Sequence, residues 1–140
     1  MKNGKILLVE FSELGEKVAI ELDDSRSPRT VQAIIDNLPI RVNINRWGDE
    51  LYTEETPVKV KEENARSVVD LLDVAYWPEG SALCFFYGPT PISRSDKIMP
   101  YSPVNIVGRI LDKPGNVQEF LSSVERLHMD KKIPVVLSLQ

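Results

Sequence analysis

The chain has 140 residues, 42% of them hydrophobic and 27% charged, with a formal net charge of −4. That is enough chain for one domain, residues 1–140, with a core of its own. The acidic balance argues against nucleic-acid binding, which needs a cationic face to displace counterions. No apolar run approaches the roughly 20 residues of a membrane span.

Residues 5–11 read as a strand. Their apolar run, Ile6 to Val9, is too short for a secretory leader, so a cytoplasmic location is expected. Ser12-Glu13-Leu14-Gly15-Glu16 is a turn, and Val18, Ile20 and Leu22 alternate beyond it, which predicts a hairpin. Ser27-Pro28 is a helix start, with Pro28 at the first position, where a missing N–H costs nothing. Val31, Ile34, Ile35 and Leu38 form its apolar stripe. Pro39 ends it, because the residue before a proline is pushed out of the helical region.

Ile40, Val42 and Ile44 then alternate as a half-exposed strand, broken by Arg46-Trp47-Gly48-Asp49. Residues 57–61 and 67–76 are further strand candidates. After the turn Pro78-Glu79-Gly80, residues 82–87 (ALCFFY) are apolar at every position, the pattern of a strand buried on both faces. The sole cysteine, Cys84, lies in that run and reads as a small core hydrophobe.

Residues 88–103 carry Pro89, Pro91, Pro100 and Pro103, so they cross the surface as an irregular loop. The base at Gly88-Pro89-Thr90-Pro91 is expected to be rigid and to rim whatever the domain binds. The polar tip near Ser93 to Lys97, with no apolar anchor, is expected to be mobile. Residues 104–111 form a strong strand. Asn116 with Glu119 three residues on predicts a capping box opening a second helix, striped by Val117, Phe120, Leu121, Val124 and Leu127. Residues 135–139 close the chain as a strand. Many short strands in one chain suggest a closed β-barrel, which removes exposed edges, with two amphipathic helices over its ends.

Several of these segments resemble cyclophilin-like proteins, a divergent prokaryotic branch of the peptidyl-prolyl isomerase fold. They are Asp73 to Gly88 (DVAYWPEGSALCFFYG), Gly88-Pro89-Thr90-Pro91, and Pro103 to Gly108. Glu21-Leu22 with Pro28 and Thr30 is similar to the lead-in to that family's first helix. The resemblance implies a mainly β, closed barrel of about eight strands with two helices. It implies a catalytic arginine at Arg46 and a proline-pocket wall at Phe86, the second Phe of Cys84-Phe85-Phe86. Glu54 falls near the family's pocket Gln, and Leu51 and Tyr52 lie beside it. The family also lines its pocket with a Trp and a His from the loop after the paired Phe. Here that loop has neither, Tyr101 is its only aromatic, and His128 lies elsewhere. The implied function is binding of a proline-containing peptide or protein, with weak or absent isomerase activity. The alternative is a non-enzymatic small-ligand- or partner-binding barrel.

Isomerisation needs no metal or cofactor, and none is expected. The barrier is about 18–20 kcal/mol, and a guanidinium bonding to the prolyl nitrogen favours the twisted amide over the planar one. Arg46 has a competing reading, an ion pair with Asp49 or Glu50. Trp47 has two as well, a binding edge beside Arg46 or the packed cap of a barrel end.

Overall fold

Apolar alternation builds a closed barrel in the computed structural model, which describes residues 2–140. The elements are β1 (Lys2–Phe11), β2 (Glu16–Asp23), α1 (Pro28–Asn37), β3 (Ile40–Trp47), β4 (Glu50–Thr53), β5 (Asp73–Trp77), β6 (Ala82–Phe86), β7 (Asn105–Ile110), α2 (Asn116–Arg126) and β8 (Ile133–Leu139). Around the barrel the order is β1-β2-β7-β5-β6-β4-β3-β8, and β8 pairs back onto β1. Every neighbouring pair is antiparallel. Inward residues of all these strands meet in one core that includes Leu7, Ile20, Ile44, Leu51, Phe85 and Leu137. At Gly108 the β7 and β2 backbones approach so closely that a Cβ would sit 2.3 Å from the Glu21 carbonyl oxygen.

The strand count matches the expectation, but the membership differs. Residues 57–61 form no strand. Pro57 has no N–H to give a ladder, and the segment is held instead by the Tyr76 hydroxyl, which donates to the Val58 carbonyl at 2.7 Å. The strand in its place is β4. Gly48-Asp49 is a two-residue hairpin turn, with Trp47 opposite Glu50, rather than a break. Gly48 supplies the positive φ, +59°, that such turns favour. Of the expected 67–76 stretch only residues 73–76 join the ladder, as part of β5, and Val69 makes one isolated bridge with Ile98.

Helix α1 begins with Pro28 at its first position, as expected, and Leu38 leaves it in an extended conformation. Ser27 makes no side-chain cap. A carboxylate 36 residues downstream does that work. Glu63 Oε1 accepts from the Thr30 N–H at 2.9 Å and its hydroxyl at 2.7 Å, and Oε2 accepts from the Arg29 N–H at 3.1 Å. A charge at a helix N-terminus also meets the positive end of the helix dipole. Helix α2 has no capping box either. Gly115, at φ +87°, is its N-cap, and the Asn116 side chain instead bonds the Ala19 N–H and carbonyl, tying the helix to β2. Phe120 of α2 packs against Phe11, Phe85 and Tyr87.

Candidate functional site

Cross-strand partners share a face of the sheet, so the register of β3, β4, β6 and β5 sorts this wall into two sides. Arg46, Leu51, Phe85 and Val74 form one inward row. Trp47, Glu50 and Phe86 form an outward row, and Tyr52, Cys84 and Ala75 form the next. The inward row runs into the main core. The outward rows carry a second apolar cluster, in which Ala75, Cys84 and Phe86 meet Val104, Ile106 and Ile98 beneath the 88–104 connection.

That connection is fastened at both ends. Asp49 N–H donates to the Pro89 carbonyl at 2.9 Å, and Tyr87 N–H donates to the Asp49 carbonyl at 3.0 Å. A Cβ on Gly48 would stand 2.7 Å from Pro91 Cδ, so the β3–β4 turn and the loop base are in close contact. The tip closes on Ser93, whose Oγ accepts from the N–H groups of Thr90 and Met99. At the far end Trp77 Nε1 donates to Ser102 Oγ at 2.6 Å, and the Tyr101 ring meets Trp47 and Trp77 edge-on, with centroids 6.0 and 5.9 Å away.

The outward rows and the far end of the loop enclose a cleft of about 180 Å³. Trp47, Tyr52 and Trp77 wall it, and Pro100 and Tyr101 rim it. Its deepest lining residues are Glu50, Cys84 and Val104, which are 5%, 2% and 0% exposed. Tyr101 stands 69% exposed at the mouth. The rim therefore comes from the far end of the connection and not from its base at residues 88–91.

Glu50 is the one acidic side chain in this lining. Its Oε1 is buried and accepts no hydrogen bond among the described residues. Burial pushes its pKa up to about 7, outweighing the hydrogen bond with the Cys84 thiol, which pulls the other way. The same burial, with Glu50 adjacent, holds Cys84 protonated. Sequence reasoning missed Glu50 as a cleft residue. The signal was the two-residue turn at Gly48-Asp49, which sets Glu50 opposite Trp47.

Of the residues singled out from the sequence, Trp47 and Tyr52 line the cleft. Phe86 is fully buried in the cluster beneath it. Leu51 faces the barrel core. Glu54 lies just past β4, bonded through its N–H to the Asn43 carbonyl, and does not line the cleft. Arg46 belongs to the inward row, at the barrel end. Its Nε donates to the Gly48 carbonyl at 2.8 Å and its Nη2 to Asp49 Oδ1 at 3.1 Å, with the guanidinium 5.8 Å over the Tyr87 ring. Trp47 and Arg46 are thus neighbours in sequence on opposite faces of the wall. Among the described residues, no group of three or more His, Cys, Asp or Glu side chains is placed to hold a metal, and no helix is long and apolar enough to cross a membrane.

Comparison with known proteins agrees with this architecture. The solution structure of the hypothetical protein AF2241 from Archaeoglobus fulgidus is 41% identical, with a TM-score of 0.75 over 99% of this chain and 96% of that one. The structure of McbB in complex with tryptophan shares the fold at 16% identity, with a TM-score of 0.73 over 94% of this chain and 44% of that one. No curated protein matches the sequence. The family model described as cyclophilin-like matches residues 6–128, nearly the whole barrel, and the chain belongs to the cyclophilin-like family.

Proposed function

We propose that this chain is a binding protein whose outer-face cleft receives a proline-containing segment, and that Arg46 does not catalyse prolyl isomerisation there. The observation that carries the reading is the aromatic set Trp47, Trp77 and Tyr101 standing around an apolar hollow. Aromatic-lined grooves receive prolyl rings because the ring is apolar and preorganised, and flat π-faces cover it at low entropic cost. A catalytic donor must reach the prolyl nitrogen as the amide twists. The Arg46 guanidinium is held by Gly48 and Asp49 on the other face of the ladder, so it is poorly placed for that role.

Two measurements test this. In a protease-coupled assay with a prolyl peptide, wild type and Arg46→Ala are expected to run at the same rate, that of the uncatalysed reaction. A rate enhancement lost in Arg46→Ala would return Arg46 to the reacting centre. A tryptophan-fluorescence titration with the same peptide is expected to saturate in wild type and to vanish in Trp47→Ala. A second reading, a small-ligand site in the same cleft, is favoured by the volume of about 180 Å³, which suits a single small ring.

A further inference from the structure

We propose that the cleft is selective for a protonated amine, with the ammonium on Glu50 and the apolar body of the ligand between Trp47, Trp77 and Tyr101. This rests on the reading of the cleft as a binding site and adds the chemistry it selects. The supply could be a free alkylamine or the amino group of a peptide.

Three features converge on the amine. Glu50 is 5% exposed, lines the cleft and keeps Oε1 without a hydrogen-bond partner among the described residues. A polar atom so buried is ordinarily satisfied, and a ligand N–H would satisfy it. No lysine or arginine is seen in an ion pair with Glu50 among the described residues. Arg46, close in sequence, is committed to Asp49 on the opposite face. The surrounding groups are aromatic faces, whose negative quadrupoles attract cations and repel carboxylates. An anionic ligand would meet both repulsions. A neutral donor would leave an ionised Glu50 uncompensated. A compact ammonium answers the carboxylate and the rings together, and its alkyl body fills the apolar remainder.

The other titratable residues in the same lining are Cys84 from β6, whose thiol lies beside Glu50, and Tyr52 and Tyr101. Tyr87 on the far face feels its charge. Glu50 ionises as pH rises, so amine affinity should increase between pH 6 and pH 8.

The test titrates wild type and Glu50→Gln, by tryptophan fluorescence and calorimetry at pH 8, with three probes. These are n-butylamine, prolyl-alanine amide with a free amino terminus, and its N-acetyl form. The expected result is that wild type binds the free-terminus peptide at least tenfold more tightly than the acetylated one. In Glu50→Gln the two should bind alike. Equal binding of both peptides by wild type, or an unchanged preference in Glu50→Gln, overturns the amine proposal while leaving the peptide-binding reading intact. Binding of n-butylamine with neither peptide bound supports the amine proposal, identifies a small amine as the source and removes the peptide reading. No binding of any probe overturns both. The comparison of the two peptides on wild type needs no variant, so it decides the matter even if Glu50→Gln folds poorly.

Discussion

The two faces of the β4–β6 wall are built from the same kind of residue and end up with different work. On the inner face Leu51, Phe85 and Leu83 pack into a core completed by six other strands and capped by Phe120. On the outer face Tyr52, Cys84 and Phe86 are covered by irregular chain, the proline-rich connection together with Val69, and this cover opens beyond Pro100. A strand partner is rigid and repeats every residue. A loop covers what its prolines and anchors allow. The same apolar run thus yields a filled interior on one side and, on the other, a cleft where one carboxylate oxygen of Glu50 is left without a hydrogen bond among the described residues.

The sharpest contrast between the faces should be energetic. Phe85→Ala on the inner face should cost about 3–5 kcal/mol in urea denaturation, as large aromatic truncations in a closed core do. Tyr101→Ala at the cleft mouth, 69% exposed, should move stability by no more than about 0.5 kcal/mol while weakening the peptide titration. Equal costs at the two positions would break the distinction.

Glu50 gives the next largest effect, and its sign depends on pH. Its folded pKa of about 7 lies above the ordinary 4.5. A group raised in this way leaves full stability below the ordinary pKa and takes it away as pH rises through the folded one. Glu50→Gln should therefore match wild type near pH 4. Its advantage should grow between pH 4.5 and pH 7, to a ceiling of about 3 kcal/mol above pH 7. Thermal melts of both proteins across that range check it.

Glu63 provides the opposite sign on another part of the barrel. Burial pulls its pKa up, but the bonds from Thr30 and Arg29 outweigh that and hold it below the usual value. Glu63→Ala should cost about 1–2 kcal/mol near neutral pH, the range of a lost N-cap. The cost should shrink as pH falls through the depressed pKa, because the wild-type carboxylate is then protonated too.

Arg46→Ala should leave binding untouched and cost little stability. Both partners of its ion pair are 40% exposed, so the loss should stay under about 1 kcal/mol, with the cleft titration unchanged.

Much of the barrel was legible because its signals are local. The unbroken run at residues 82–87 marks a strand buried on both faces, Pro28 and Pro39 bracket the first helix, and the stripe ending at Leu127 marks the second. The caps were not legible in the same way. Ser27 and Asn116 carry the right side chains for capping, yet Glu63 caps the first helix and Asn116 turns to Ala19 of β2, since a long-range contact outcompetes a local one. The site was half legible. Trp47 and Tyr52 follow from strand alternation once Gly48-Asp49 is taken as a turn. Tyr101 and Pro100 reach the cleft only through the path of a 16-residue connection, which no periodicity encodes. Arg46 shows the converse. The resemblance implies a catalytic role for it, while strand alternation turns it inward, away from the cleft.

Which side of this wall binds is open to one direct measurement. In a ¹⁵N-labelled sample, the indole N–H signals of Trp47 and Trp77 and the Nε–H signal of Arg46 report the two faces separately. Titrated with prolyl-alanine amide, both indole signals should move on one saturable curve while the Arg46 signal stays in place. Movement of the Arg46 signal with both indoles unshifted would contradict the account.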